Sequence, residues 1–383
     1  MTSVAITGEV FRWARERAGL SDEKLAKRVN AKLERIRAWE TEKEYPNFQQ
    51  AQKLATALGI PFGYLFLSRP PEITIPITDF RTFPGKEKAS FSIDLQAVLD
   101  DALRKRDWYK EWREQEGNAP YEFVGKFSPR TKPAEIVQDM RQVLDIMPGF
   151  AAEMRTWDQH LRQFVQKVEF AGILVLQNGI VGNNTHRKLS VPEFRGFALA
   201  DKFAPLIFIN AQDSAAARIF TLAHELAHIW TGTSGISNPE FVTDEIETQQ
   251  TEILCNQIAA EFLVPYDVFV KRWIEAQDAL ENAQQLAAYF RVSAQVILRR
   301  AYDSGLIPFD EYRQSIQEVL KAIKPRVKGG GGDFYKTLFS RNSRRFTQEL
   351  FSAISSGQLS YLDGARLLNT RPGKLVNAME KMR

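Results

Sequence analysis

The sequence predicts a mainly α-helical protein with one small β-sheet, an α+β architecture in more than one domain. Three observations predict it. Apolar residues recur at helical spacing along most of the chain. Three short apolar runs, parted by Gly, Asn and Pro, stand together between residues 172 and 209. Finally, 383 residues exceed what one core comfortably holds. The expected division is an all-helical unit over 1–69, a helical connecting region over 70–165, an α+β core with trailing helices over 166–328, and a small helical module over 333–383.

Composition narrows the function classes. The chain has 51 basic and 47 acidic residues, a net +4, too mild to imply nucleic-acid or membrane binding by the chain as a whole. Its single cysteine excludes an internal disulfide framework and fits a reducing cytosol. Residues 1–17 are interrupted by Glu9, Arg12, Arg15 and Arg17, unlike a signal peptide, and no stretch approaches 18 apolar residues. A cytoplasmic protein without a membrane partner is the expectation.

Taken in order, Val10, Phe11, Ala14 and Ala18 form one helical stripe that stops at Gly19. Ser21 caps a short helix carrying Leu25, Ala26 and Val29, Asn30 makes a turn, and a further helix follows from Leu33 to Glu40. Short helix, tight turn and second helix make a helix-turn-helix, with Trp39 in its core. LAKRVNAKLERIRAWETEKEYPN followed by AQKLATALGI resembles an XRE-type DNA-binding domain. Lys32, Arg35 and Arg37 are its candidate DNA contacts. Against that stand Asp22, where the family often has Gln, the carboxylate of Glu34, and only 11 basic against 8 acidic residues over 1–68. A protein-docking or dimerising module is therefore the alternative to DNA binding.

Arg69-Pro70-Pro71 reads as a linker and Ile73 to Ile77 as extended chain. Phe91 to Gln115 reads as a long helix that packs Trp108, Tyr109 and Trp112 inward and turns its charges to water. Pro129 to Met147 and Trp157 to Val165 read as further helices. Strands are expected at 172–176, 196–200 and 206–209. Leu206 to Asn210 is the candidate edge strand that could pair with an extended substrate. His186 reads as a surface histidine, and Arg195 and Arg218 as structural or substrate-orienting residues.

The chemistry concentrates in Phe220-Thr221-Leu222-Ala223-His224-Glu225-Leu226-Ala227-His228-Ile229-Trp230. On a helix His224 and His228 project from one face, one turn apart, so both imidazoles can reach one Zn2+. Glu225 can then sit beside a metal-bound water as its general base. The alternative is a buried helix whose histidines are satisfied by hydrogen bonds. A zinc site needs a third ligand, and Glu252 on a second helix, 247–264, is the first candidate and Glu247 the second. Asn256 shares the Glu252 face and can support the site. Glu261 falls on the opposite face and reads as solvated, and Cys255 as a small core residue. Residues 234–243 read as a polar loop beside the site, and 286–300 as another helix-turn-helix. Gly329 to Gly332 form a flexible joint, and the basic stretch 321–346 opens a module for partner or nucleic-acid contact or presents a solvated charge face.

FTLAHELAHIW followed by TEILCNQIAAEFLVP resembles the ImmA/IrrE family of bacterial zinc peptidases. Thr185-His186-Arg187, Arg195-Gly196-Phe197 and Pro205 to Asn210 are similar to its longer members. The resemblance implies a zincin-like peptidase core, ligands at His224, His228 and Glu252, and the base at Glu225. It further implies a regulatory protease that cleaves one specific partner, such as a transcriptional repressor. Long members with an XRE-like N-terminus also resemble antitoxins, so a regulator that binds a neighbouring gene's toxin without turnover is the second expectation.

Overall fold

A computed structural model describes residues 3–71, 78–79, 91–237, 248–322 and 333–382. Ile73–Ile77, Glu247 and Gly329–Gly332 lie outside the described residues, as does 238–243 of the expected loop. The chain divides into two compact units, Met1–Pro76 with Gly85–Asp101 and Ile77–Pro84 with Ala102–Arg383.

In the first unit, α1 (Gly8–Arg17), α2 (Asp22–Val29), α3 (Leu33–Glu40) and α4 (Phe48–Leu58) close on Phe11, Leu25, Ile36, Trp39 and Leu54. The Ser21 hydroxyl accepts the Lys24 N–H, and α2 stops where Asn30 turns left-handed at φ 54°. Asn47 and Gln50 form a reciprocal capping box at the start of α4. Arg15 bridges Asp22 at 3.1 Å and Glu40 at 3.0 Å, tying α1 to the two helices beyond it.

The second unit holds strand β1 (Thr78–Asp79), the greater part of α5 (Ile93–Gln115), then α6 (Pro133–Leu144) and α7 (Trp157–Phe170). Next come β2 (Leu174–Asn178), a hairpin of β3 (Ile180–Val181) and β4 (Asn184–Lys188), β5 (Gly196–Leu199) and β6 (Leu206–Asn210). α8 (Ala215–Thr231), β7 (Gly235–Ser237) and α9 (Thr248–Leu263) follow, then α10 (Tyr266–Arg272), α11 (Ala279–Phe290), α12 (Ala294–Asp303) and α13 (Phe309–Ala322). The chain ends in α14 (Phe334–Asn342), α15 (Arg344–Ser355), α16 (Tyr361–Leu367) and α17 (Pro372–Met382). No single described helix is long and apolar enough to cross a membrane.

The five-stranded sheet runs β1-β7-β5-β6-β2, with β2 parallel to β6, β5 antiparallel to both its neighbours, and β1 parallel to β7. This order corrects two expectations. β6 is not an edge: it pairs on both sides, and all five of its residues are buried. Its unbroken apolar run is the mark of an interior strand. Residues 235–237, expected as loop, form β7, because Ile236 pairs with Phe197 and is wholly buried.

Two charge assignments also change. α5 buries Tyr109 and Trp112 as expected, yet Lys105 and Arg113 are buried too, and Arg113 donates to the Tyr121 hydroxyl and the Ala119 carbonyl. Glu261 is not solvated but ion-paired with Arg300 of α12. A helical wheel shows which side of α9 faces the metal-ligand candidates, but not that α12 lies against the other side.

Candidate metal centre

α8 is built as an interior helix. The Ser214 hydroxyl accepts the Ala217 N–H at 3.2 Å to cap it, and Gly232 ends it at φ 70°. Every residue from Ile219 to Thr231 is buried, between the sheet on one side and α9 and α7 on the others. A helix buried all round has no solvent to satisfy its polar side chains, so each must find a protein partner or a ligand.

His224 and His228 both find one through Nδ1. His224 Nδ1 lies 3.0 Å from Asn256 Oδ1, and His228 Nδ1 lies 2.8 Å from Thr233 Oγ1. The amide oxygen only accepts, so His224 carries its proton on Nδ1 and offers an Nε2 lone pair. The two Nε2 atoms are 3.1 Å apart, and Glu252 places Oε2 3.2 Å from one and Oε1 3.0 Å from the other. These three ligand atoms lie within 4.8 Å of one another. Two imidazole nitrogens and a carboxylate converging in a buried pocket need a shared positive charge, which a metal ion or a proton on an imidazole supplies. The donor set and its Asn and Thr supports fit Zn2+.

The protein groups alone show the same tension. Burial pulls both imidazoles toward neutrality, but the Glu252 carboxylate outweighs it at His224, which ends raised, while His228 ends lowered. Burial pushes Glu252 up, yet the two histidines win and hold its carboxyl down at about 2. Glu225 is fully buried, both its oxygens lack a hydrogen-bond partner, and burial raises its pKa to about 8. An orphaned carboxylate costs stability, and such groups mark sites where something else binds.

Four predicted residues thus meet here with Glu225: His224, His228, Glu252 and Asn256. Three neighbours were missed. Thr233 directly follows the helix stop, a position from which a hydroxyl can turn back to His228. Ser237, 3.4 Å from His228 Nε2, lies in the stretch expected beside the site but was not singled out, and it arrives there on β7 rather than on a loop. Gly196, also missed, sits on β5 where an added Cβ would fall 2.9 Å from Glu225 Oε1 and 2.7 Å from Thr221 Cγ2. Cys255 is buried and free, beside the ligands in sequence but absent from their cluster. His186 is exposed on β4, Arg195 is bound to Asp213 at 2.5 Å, and Arg218 lies 3.7 Å from Asp158.

Two cavities of about 530 and 590 Å3 adjoin α8 and share Phe220 and Val296 in their walls. The first is also lined by Arg195, Thr221 and Tyr312, and the second reaches Asn256.

The DNA-contact candidates are more dispersed. Lys32 is exposed at the N-cap of α3. Arg35 leans over the Trp39 ring at 5.1 Å and toward Glu44 at 3.8 Å, whereas Arg37 pairs with Asp22 at 3.1 Å. Their 200° separation puts the two arginines on opposite flanks of an exposed face that Glu34 centres.

Residues 169–302 match the family model described as an IrrE N-terminal-like domain, of the M78 peptidases. Residues 11–65 match a helix-turn-helix model, and residues 342–381 match a domain of unknown function. No curated protein matches the chain. The chain therefore carries an IrrE-like peptidase domain behind an XRE-type helix-turn-helix.

Proposed function

We propose that this protein is a regulatory zinc-dependent endopeptidase that hydrolyses a bond in one specific protein partner. The observation that carries the proposal is the convergence of His224 Nε2, His228 Nε2 and the Glu252 carboxylate beside the buried, unpartnered Glu225. His224, His228 and Glu252 are the ligands in this reading, with Asn256 and Thr233 holding the imidazole tautomers. Bound Zn2+ supplies a Lewis acid that polarises a carbonyl and makes water acidic near neutral pH. Glu225 takes the proton of the attacking water and passes it to the leaving amine. Gly196 leaves room for the Glu225 carboxylate, which lies near enough to His224 and Glu252 to feel their charge. A dication nearby favours its ionised form, which opposes the upward push of burial.

A helix-turn-helix on the same chain supports a regulatory role, with a repressor as the expected substrate and DNA contact through Lys32, Arg35 and Arg37. The second reading keeps the chain as an antitoxin-like regulator that binds a toxin without cleaving it. Co-expression of the wild type and Glu225→Gln with the neighbouring gene's product, followed by intact mass, separates the two. A fragment formed only with the wild type supports the peptidase. Two intact proteins that co-purify in both cases overturn it in favour of the binder.

A further inference from the structure

The C-terminal module repeats the local backbone pattern of residues 21–39 of the N-terminal helix-turn-helix. Over that stretch, adding 339 to each number gives the matching position. Ser21 becomes Ser360, and each caps its helix by accepting the N–H three residues on. Buried Leu25, Ala26 and Val29 become buried Gly364, Ala365 and Leu368. Asn30 at φ 54° becomes Asn369 at φ 51°. The turn closes by Ala31 N–H to Ala26 O at 2.9 Å and by Thr370 N–H to Ala365 O at 2.8 Å. Ile36 and Trp39, the buried residues of α3, become Leu375 and Ala378, the buried residues of α17. α15 then takes the place of α1.

The same unit occurs once more at α11–α12. There Arg291 holds the left-handed turn at φ 54°, and Val292 N–H closes it on Ala287 O at 3.2 Å. This copy shows that the backbone alone does not make a DNA reader. On α12 the positions matching Arg35 and Arg37 are Val296 and Leu298, and both are buried in the core. On α17 they are Lys374 and Val376, and both are exposed.

We propose that α15, α16 and α17 form a second helix-turn-helix that binds duplex DNA through the exposed face of α17. The inference goes beyond the peptidase reading and does not depend on it. Arg371 stands at the start of the helix, where the dipole also favours a phosphate. Where α3 presents Glu34, α17 has Gly373, beside which an added Cβ would meet nothing within 4 Å. Lys374 and Lys381, seven residues apart, lie on one side of the helix, each resting on an aromatic ring of α14, Phe334 at 5.6 Å and Tyr335 at 4.6 Å. Beside them Asn377 and Val376 are exposed, an amide suited to adenine and an apolar group suited to the thymine methyl. The opposing acids are Glu380, which shares the exposed face with Val376 and Asn377, Asp333 of the α14 cap, whose charge acts on Lys381, and Asp363, which Arg366 engages at 3.2 Å.

The test is the affinity of the full-length protein for random-sequence duplex DNA across a salt series. Lys32→Ala and Arg37→Ala are present in every sample, so that the N-terminal copy contributes equally throughout. Each phosphate contact adds about 0.9 to the slope of log affinity against log salt. The triple change Arg371→Ala, Lys374→Ala and Lys381→Ala is expected to lower that slope by about two to three and the affinity at least tenfold. Asn377→Glu, a single exposed change that leaves the helix core untouched, is expected to weaken binding tenfold with the melting temperature unchanged. Equal affinity and slope in both variants would overturn the proposal, as would a loss seen with single-stranded but not duplex DNA.

Discussion

The carboxylate of Glu225 occupies the space next to Gly196 so closely that a Cβ on the glycine would lie 2.9 Å from Oε1. The same Cβ would meet the Phe208 carbonyl at 2.9 Å, a backbone atom of the neighbouring strand that cannot swing aside. Gly196→Ala is therefore expected to displace Glu225 and cost about 1–3 kcal/mol in stability, the usual penalty of overpacking. Peptidase activity should fall by at least about tenfold for a displaced base, while zinc content per chain stays constant. Loss of zinc together with activity would show that the glycine supports the ligands instead.

Asn256 and Thr233 each hold the Nδ1 atom of one imidazole, away from the converging Nε2 atoms. Asn256→Ala and Thr233→Val are each expected to weaken zinc affinity by about 10–100-fold, read by competition with a chelator at constant pH. Glu252→Ala should go further and empty the site, because it removes a ligand rather than its support. Full zinc occupancy in Glu252→Ala would move the third ligand to another residue.

His160 is buried between the rings of Phe150 and Phe164, with Nδ1 unpaired and its pKa lowered to about 4 by burial. The unfolded chain takes up that proton near pH 6.5, the folded one only near 4, so the unfolded state binds more protons in between. Stability is thus full above about pH 6.5 and declines as the pH falls through this window. His160→Phe is expected to flatten the decline, measured by denaturant midpoints between pH 7 and 4.5. An unaltered pH profile would assign the acid sensitivity to other groups.

Glu169 on α7 anchors the start of α15, accepting the Ser343 hydroxyl at 2.6 Å and the Arg344 N–H at 2.8 Å. Burial raises its carboxyl to about 7, against about 4.3 in an unfolded chain. Its folded form binds the proton more tightly, so the contribution is fully present below about pH 4.3 and lost as the pH rises through 7. Glu169→Gln keeps an acceptor but removes the charge, and is expected to raise stability at pH 8 relative to wild type. A lower melting temperature at pH 8 would show that the ionised carboxylate itself holds α15 in place.

The sequence by itself determined what is local. Spacing of three and four residues put His224 and His228 on one face and Glu252 with Asn256 on another, because the period of a helix needs no tertiary information. Caps and turns at Gly19, Ser21 and Asn30 were legible for the same reason. Tertiary structure decided what depends on distant partners: that β6 is interior, that residues 235–237 pair as a strand, that Glu261 meets Arg300, and that Gly196 backs Glu225. Each of these rests on contacts between residues far apart in the chain, and only the packing of sheet on helix fixes those. The left-handed turns at Asn30, Arg291 and Asn369 show the limit most directly: the local backbone repeats, but the helix after Arg291 buries Val296, Ile297 and Leu298 while the helix after Asn369 buries only Leu375 and Ala378.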